Sequence, residues 1–290
     1  MLRIFFVFLC LTTLAFSQEQ VQFETLPVPT GATPSTDPSI PKINWHRWTV
    51  KEFTIHAIDK DQGKFLYENV SKIKSWSLTR WGLEDFQYTK ECRIFVASDV
   101  TTMKKLFNID ISLAEIRDEQ VSYIWLIMDR SPAEVIPPSL TIINLKELEK
   151  QNQVKIPWWC YRGSAVLNGT LPQIRKNIDF VGPYLKNDKT MFFSKTLFTM
   201  TEDDWRKQTP EMRNLFDAES VILCLMVRKE YGQRIFLQFL NQDCEKVLQE
   251  LRFRNYNQVD SVLKRYMAAI VDDAANNKIP DAYLQITKVE

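Results

Sequence analysis

An α+β domain is what the order of apolar patterns predicts: a small mixed sheet with helices in the N-terminal half, then a helical C-terminal half. Three observations predict it. Short strand-like runs alternate with helical periodicity as far as Asn144, the pattern after Asn144 is helical, and 45% of the 290 residues are apolar, enough for a sizeable core. A block of strands followed by a block of helices favours α+β over a doubly wound sheet.

The elements follow in order. Phe53-Thr54-Ile55-His56-Ala57-Ile58 has the composition of a strand. Lys60 to Trp81 predicts a helix with Leu66, Val70, Ile73 and Ser77 on one line, and Gly82 stands where a left-handed C-cap is wanted. Arg93 to Ala97 is a second strand, with Asp99 as N-cap of a helix carrying Met103, Leu106 and Phe107. Val121 to Met128 is apolar on both faces, the mark of a well-covered strand. Pro132, Pro137 and Pro138 predict a loop or edge hairpin, Leu140 to Ile143 a short strand, and Leu145 to Gln151 a short helix. Pro157 suits the first turn of a helix through Trp158, Trp159 and Tyr161 towards Leu167. Further helices are expected at Leu171–Asn177, Glu211–Tyr231, Arg234–Leu240, Asp243–Phe253 and Val259–Asp272, the second of these being the most apolar and so the core helix.

The ends read differently. Met1 to Ser17 has a basic Arg3, an apolar stretch from Ile4 to Phe16 and small residues at Ala15 and Ser17, which predicts a secretory signal cut before Gln18. Residues 18–44 form a Pro/Thr/Ser-rich linker with five of the thirteen prolines. Residues 45–290 then make a single domain, an α/β part (45–144) and a helical part (145–290). The expected address is secreted or periplasmic, with no membrane span after signal cleavage.

Charge and motif content exclude several functions. With 37 Lys+Arg against 36 Asp+Glu there is no bulk field for nucleic acid. Seven glycines include no phosphate-cradling run. The two histidines, His46 and His56, need distant carboxylates to hold a metal, and a Cys160–His56 nucleophile pair needs the fold to join them. Cys92, Cys160, Cys224 and Cys244 permit up to two disulfides in an oxidising compartment, although Cys224 lies in an apolar run. Glu202-Asp203-Asp204 is either a calcium ligand cluster or, lacking the surrounding loop, a helix cap. Asn69-Val70-Ser71 and Asn168-Gly169-Thr170 match the glycosylation sequon.

Several segments in a fixed order carry a family resemblance. They are Ser77 to Leu83, Arg93 to Asp99 with Met103 and Phe107, Ile156 to Ala165 (IPWWCYRGSA), and Glu219 to Leu240 with Tyr231-Gly232 inside it. Together they resemble the peptidase-MA-like secreted proteins, a branch of the gluzincin zinc metallopeptidases, over Phe53 to Leu251. The resemblance implies a gluzincin-like fold. It also implies H-E-x-x-H on a helix, two zinc ligands one turn apart with a water-activating Glu between them, and a third ligand on a following helix.

Here the corresponding segment is Lys146-Glu147-Leu148-Glu149-Lys150, with Arg162 at the third position. Glu147 is retained. Lys and Arg have no lone pair to offer a metal, so Lys146, Lys150 and Arg162 are vestigial positions and no cofactor is expected. Two readings of the lysines stand side by side: an exposed helical face with i,i+4 charge pairs, or cations that pair with Glu147 or bind an anion in place of the metal. Trp158-Trp159 is expected in the core rather than as a ligand platform. The function expected is binding of an unknown protein, peptide or glycan by a catalytically inactive domain. The alternatives are a hydrolase working through Glu147 and an assembly factor of the cell envelope.

Overall fold

A five-stranded sheet in the order β1-β2-β3-β5-β4 forms one side of the domain, and helices cover it and continue beyond it. The computed structural model describes residues 45–83, 86–88, 91–110, 112–117, 121–186, 191–192, 194–276 and 278. The signal and linker segments expected at 1–17 and 18–44 lie outside the described residues. The strands are β1 (His46–Val50), β2 (Phe53–Ala57), β3 (Glu91–Ala97), β4 (Leu113–Arg117) and β5 (Val121–Ile127). In the sheet half the helices are α1 (Lys60–Arg80), α2 (Val100–Phe107) and α3 (Pro132–Asn152). The helical half holds α4 (Trp158–Leu167), α5 (Leu171–Lys186), α6 (Ser194–Thr199), α7 (Glu202–Lys207), α8 (Pro210–Glu230), α9 (Gln233–Asn241), α10 (Cys244–Glu250) and α11 (Tyr256–Ala275).

The sheet is mixed. β2, β3 and β5 run parallel, whereas β1 and β4 pair antiparallel at the two edges. Side-chain alternation divides the core. Ile94, Val96, Ile124 and Leu126 face the large cluster shared with the helical half, while Phe95, Ala97, Trp125 and Ile127 face a smaller one closed by Met103 and Phe107 of α2. The edge strand β1, at the very start of the domain, was not foreseen. It docks closely on α1 because Gly63 has no side chain: a Cβ there would lie 2.1 Å from the Trp48 ring.

The α+β expectation holds, and so do the caps expected at Asp99 and Gly82, to which the structure adds Asp59 at the start of α1. Asp59 accepts from Gln62 N at 2.9 Å, Asp99 accepts from Thr102 N at 2.8 Å, and Gly82 takes the left-handed conformation (φ 68°).

The largest correction concerns residues 132–152. The hairpin, short strand and short helix expected there are one continuous helix, α3, with Pro132 in its first turn and Pro137 and Pro138 inside. Two prolines remove two backbone donors, which argues against a helix on propensity alone. The surroundings override this. The Glu134 carbonyl takes a hydrogen bond from Gln173 Nε2 at 3.2 Å, and α3 packs against α1, α4, β4 and β5. Helix α5 also runs past the expected end at Asn177, to Lys186.

Helix α8 is the axis of the helical half, with every residue from Leu215 to Val227 buried. It meets α4 at Gly163, where a Cβ would sit 2.4 Å from the Ser220 carbonyl oxygen and 2.5 Å from Cys224 Sγ. The four described cysteines are all free thiols, and Cys92, Cys160 and Cys224 are buried. No disulfide staples the described domain, whose core is large enough to stand without one. Among the described residues, no helix is long and apolar enough to cross a membrane.

Candidate functional site

A cleft of about 1270 Å³ opens where the last turns of α3, the extended segment 154–157 and the start of α4 face α6 and α7. Its shape follows from local chemistry. Helix α3 stops at Gln153, which adopts a left-handed conformation (φ 54°). Glu149 then ties the turn down, accepting from Ile156 N at 2.7 Å and from the Tyr161 hydroxyl at 3.0 Å. Burial and that neighbouring carboxylate push the Tyr161 phenol well above its ordinary pKa, so it stays a donor. Across the cleft, Thr201 and Asp204 form a capping box that starts α7 and sets Glu202 in its first turn.

Charges line up in closed sets. Glu202 receives Lys146 Nζ at 2.6 Å on one oxygen and Arg206 Nη2 at 2.6 Å on the other. Burial acts to raise the Glu202 pKa, but the two cations outweigh it and hold the carboxyl below its usual range. Arg162 grips Asp217 of α8 with both arms, Nε to Oδ1 at 2.8 Å and Nη2 to Oδ2 at 2.5 Å. Burial works against its charge, and Asp217 more than restores it. The guanidinium also lies 4.3 Å from the Trp205 ring, which in turn packs edge-on to Trp158 at 5.9 Å. Trp158 and Trp159 are both buried, as expected, though Trp158 also turns part of its surface to the cleft.

Three of the four sequence-predicted positions belong to one neighbourhood. Lys146 and Lys150 line the cleft, and Arg162 is close enough to Glu202 to feel its charge. Glu147 departs from them. One residue along the helix turns its side chain about 100° from Lys146, towards the sheet. There it is 1% exposed and accepts from Ser122 Oγ of β5, while its second oxygen has no hydrogen-bond partner.

Both expectations therefore change for Lys146. Lys146 is neither in an i,i+4 pair nor bound to Glu147, because its partner is Glu202 on another helix. The residues that sequence reading missed are the partners: Asp217, Trp205 and the role of Glu202. Asp217 had a signal, an acid in the apolar stretch of the core helix, where a charge is costly unless it is paired. Glu202-Asp203-Asp204 forms the first turn of α7 behind its Thr201 cap.

The remaining candidates disperse. His56 stacks on Phe95 at 5.0 Å, in the smaller cluster, and Cys160 lies in the larger one, so they form no nucleophile pair. Among the described residues, no group of three or more His, Cys, Asp or Glu is placed to hold a metal ion. The cations at the positions of the implied ligands do not fit zinc either. Asn168 of the second sequon is fully buried and donates its amide to Ser77 Oγ at 2.9 Å and Thr141 Oγ1 at 2.7 Å, so it cannot accept a glycan in the folded chain.

Fold and site together define an α+β domain with an open cleft walled in part by the Lys146–Glu202–Arg206 ion pairs and Trp158. No protein-family model matches the chain and no curated protein matches it in sequence, so its resemblance to peptidase-MA-like proteins stands on the local segments alone.

Proposed function

We propose that this chain is a secreted or periplasmic binding protein with a peptidase-MA-like domain that no longer hydrolyses peptides. Its cleft between α3, α4 and α6–α7 takes a protein, peptide or glycan ligand that is held rather than cut. One observation carries the reading. Where the resemblance requires a metal and a water-activating carboxylate around one space, Lys146 and Arg162 close onto Glu202 and Asp217, and Glu147 faces Ser122 inside the domain. A carboxylate without access to water cannot serve as a general base for hydrolysis, which weighs against a hydrolase working through Glu147.

The test uses natively secreted protein, elemental analysis, a displayed random-peptide library and a glycan array. The expected outcome is no stoichiometric zinc and ligands recovered uncut. Their affinity should fall at least about tenfold on Lys150→Glu, the size of a lost charged contact. One zinc per chain, or cleavage of a recovered ligand that disappears in Glu147→Gln, overturns the proposal.

A further inference from the structure

Behind the cleft wall stand two carboxylates that the cleft itself does not use. Glu219 of α8 is fully buried; one of its oxygens accepts from Phe192 N at 3.1 Å and the other has no hydrogen-bond partner. Asp260 of α11 accepts from Ser194 N at 2.6 Å and from Ser194 Oγ at 2.5 Å. These are the residues where the chain enters α6, and from Phe198 to Glu202 the same chain lines the cleft. Two acids on two different helices thus hold the root of one cleft wall.

Among the described residues, the charges around the two acids do not neutralise them. Asp260, of the same sign, is the charged group that acts on Glu219. The buried residues of α5 and α9 are apolar: Ile174, Ile178 and Val181 on one, Phe236, Phe239 and Leu240 on the other. On α4 the cation is Arg162, already bound to Asp217. Lys195 beside Ser194 and Lys264 one turn beyond Asp260 are both exposed. A fully buried carboxyl with one oxygen unpartnered and a like charge acting on it does not ionise cheaply.

We propose that Glu219 is a proton-held latch on the root of the α6–α7 wall, beside the Asp260–Ser194 anchor, fixing the cleft while it keeps its proton and loosening it when that proton is lost. The proposal rests on reading the cleft as the ligand site, and it adds how that site is regulated. Burial pushes the Glu219 carboxyl up to about 8, whereas an opened wall returns it to water and an ordinary value of 4.5. The closed state therefore binds the proton more tightly. Opening becomes easier as pH rises between those two values and levels off above the higher one.

Hydrogen exchange on the full chain tests the latch without any ligand. After correction for intrinsic rates, exchange of the α6–α7 amides should rise at least about tenfold between pH 6 and pH 8, since each pH unit in that window can contribute up to a factor of about ten. Glu219→Gln keeps an oxygen for Phe192 N but cannot ionise, and its exchange should be flat across the same range. Asp260→Asn removes the like charge, so the rise should end at a lower pH than in the wild type. Wild-type exchange that does not change from pH 6 to 8 overturns the latch, as does a Glu219→Gln variant with the wild-type response. Either result leaves ligand binding in the cleft intact, whereas failure to find a ligand leaves the exchange result standing.

Discussion

The two sides of α3 near its end solve the same problem, a charge removed from water, in opposite ways. On the cleft side, Lys146 meets Glu202, and Glu202 is shared with Arg206, so charges of both signs satisfy one another at the edge of solvent. On the sheet side, Glu147 meets only the Ser122 hydroxyl, in a layer where Lys74 pairs with Glu52 and lies 4.0 Å from the Tyr88 ring, and Tyr88 donates to Asn144. The cleft side is built of complete ion pairs beside an open volume. The sheet side is sealed and incompletely satisfied. An open surface with settled charges suits reversible binding, whereas a sealed polar layer contributes to the uniqueness of the packing.

The first way to break this comparison is to unpair the cleft side. Arg162→Ala leaves Asp217, whose side chain is 13% exposed, without its bidentate partner. Removing one member of a pair buried this far costs about 3–5 kcal/mol, because the other charge stays behind. The double variant Arg162→Met/Asp217→Leu should recover most of that loss in urea unfolding. A single variant as stable as the wild type would show that the pair lies at the surface in solution, and the contrast with Glu147 would collapse.

A smaller effect is expected on the sealed side. Ser122→Ala removes the one hydrogen bond that Glu147 receives, leaving a buried carboxylate that should cost about 1–3 kcal/mol. In a Glu147→Gln background the same change should cost less, since a neutral amide tolerates a missing partner better than a charge does. Neither change should alter ligand affinity in the cleft. If it does, the two sides of α3 are coupled and the sheet side is part of the site.

How much of this was legible follows the range of the interactions. The strands at 53–58, 93–97 and 121–128, the Asp99 and Gly82 caps and the core helix α8 rest on local periodicity, hydrogen bonds within a few residues and composition, and these can be read from the chain itself. Helix α3 could not be read, because Pro137 and Pro138 speak against it locally while the compensating bond comes from Gln173, thirty-nine residues from Glu134. The site divides the same way. Lys146, Lys150 and Arg162 stand out only through the resemblance to peptidase-MA-like proteins, and the settings of Lys146 and Arg162 depend on Glu202 and Asp217, each more than fifty residues from its partner. The divergence of Glu147 from its neighbour Lys146 was open to helical geometry, but which of the two faces the cleft was not.

The smallest expected effect sharpens the comparison most, because it separates stability from function. Thr201 and Asp99 are both N-caps, the first on α7 beside the cleft and the second on α2 across the sheet, each accepting from a backbone N–H three residues on, at 3.2 Å and 2.8 Å. Thr201→Ala and Asp99→Ala should therefore cost about the same in unfolding free energy, about 1 kcal/mol each. Their consequences for the cleft should differ. Loss of the Thr201 cap frees the first turn of α7, which carries Glu202 and with it the Lys146 and Arg206 pairs, so ligand affinity should fall several-fold and Thr201→Ser should restore it. Loss of the Asp99 cap touches only the small cluster on the far face of the sheet, and affinity should stay at the wild-type value. Equal losses of affinity from the two caps would mean that the cleft responds to overall stability alone, and the wall built by α7 would have no special standing in recognition.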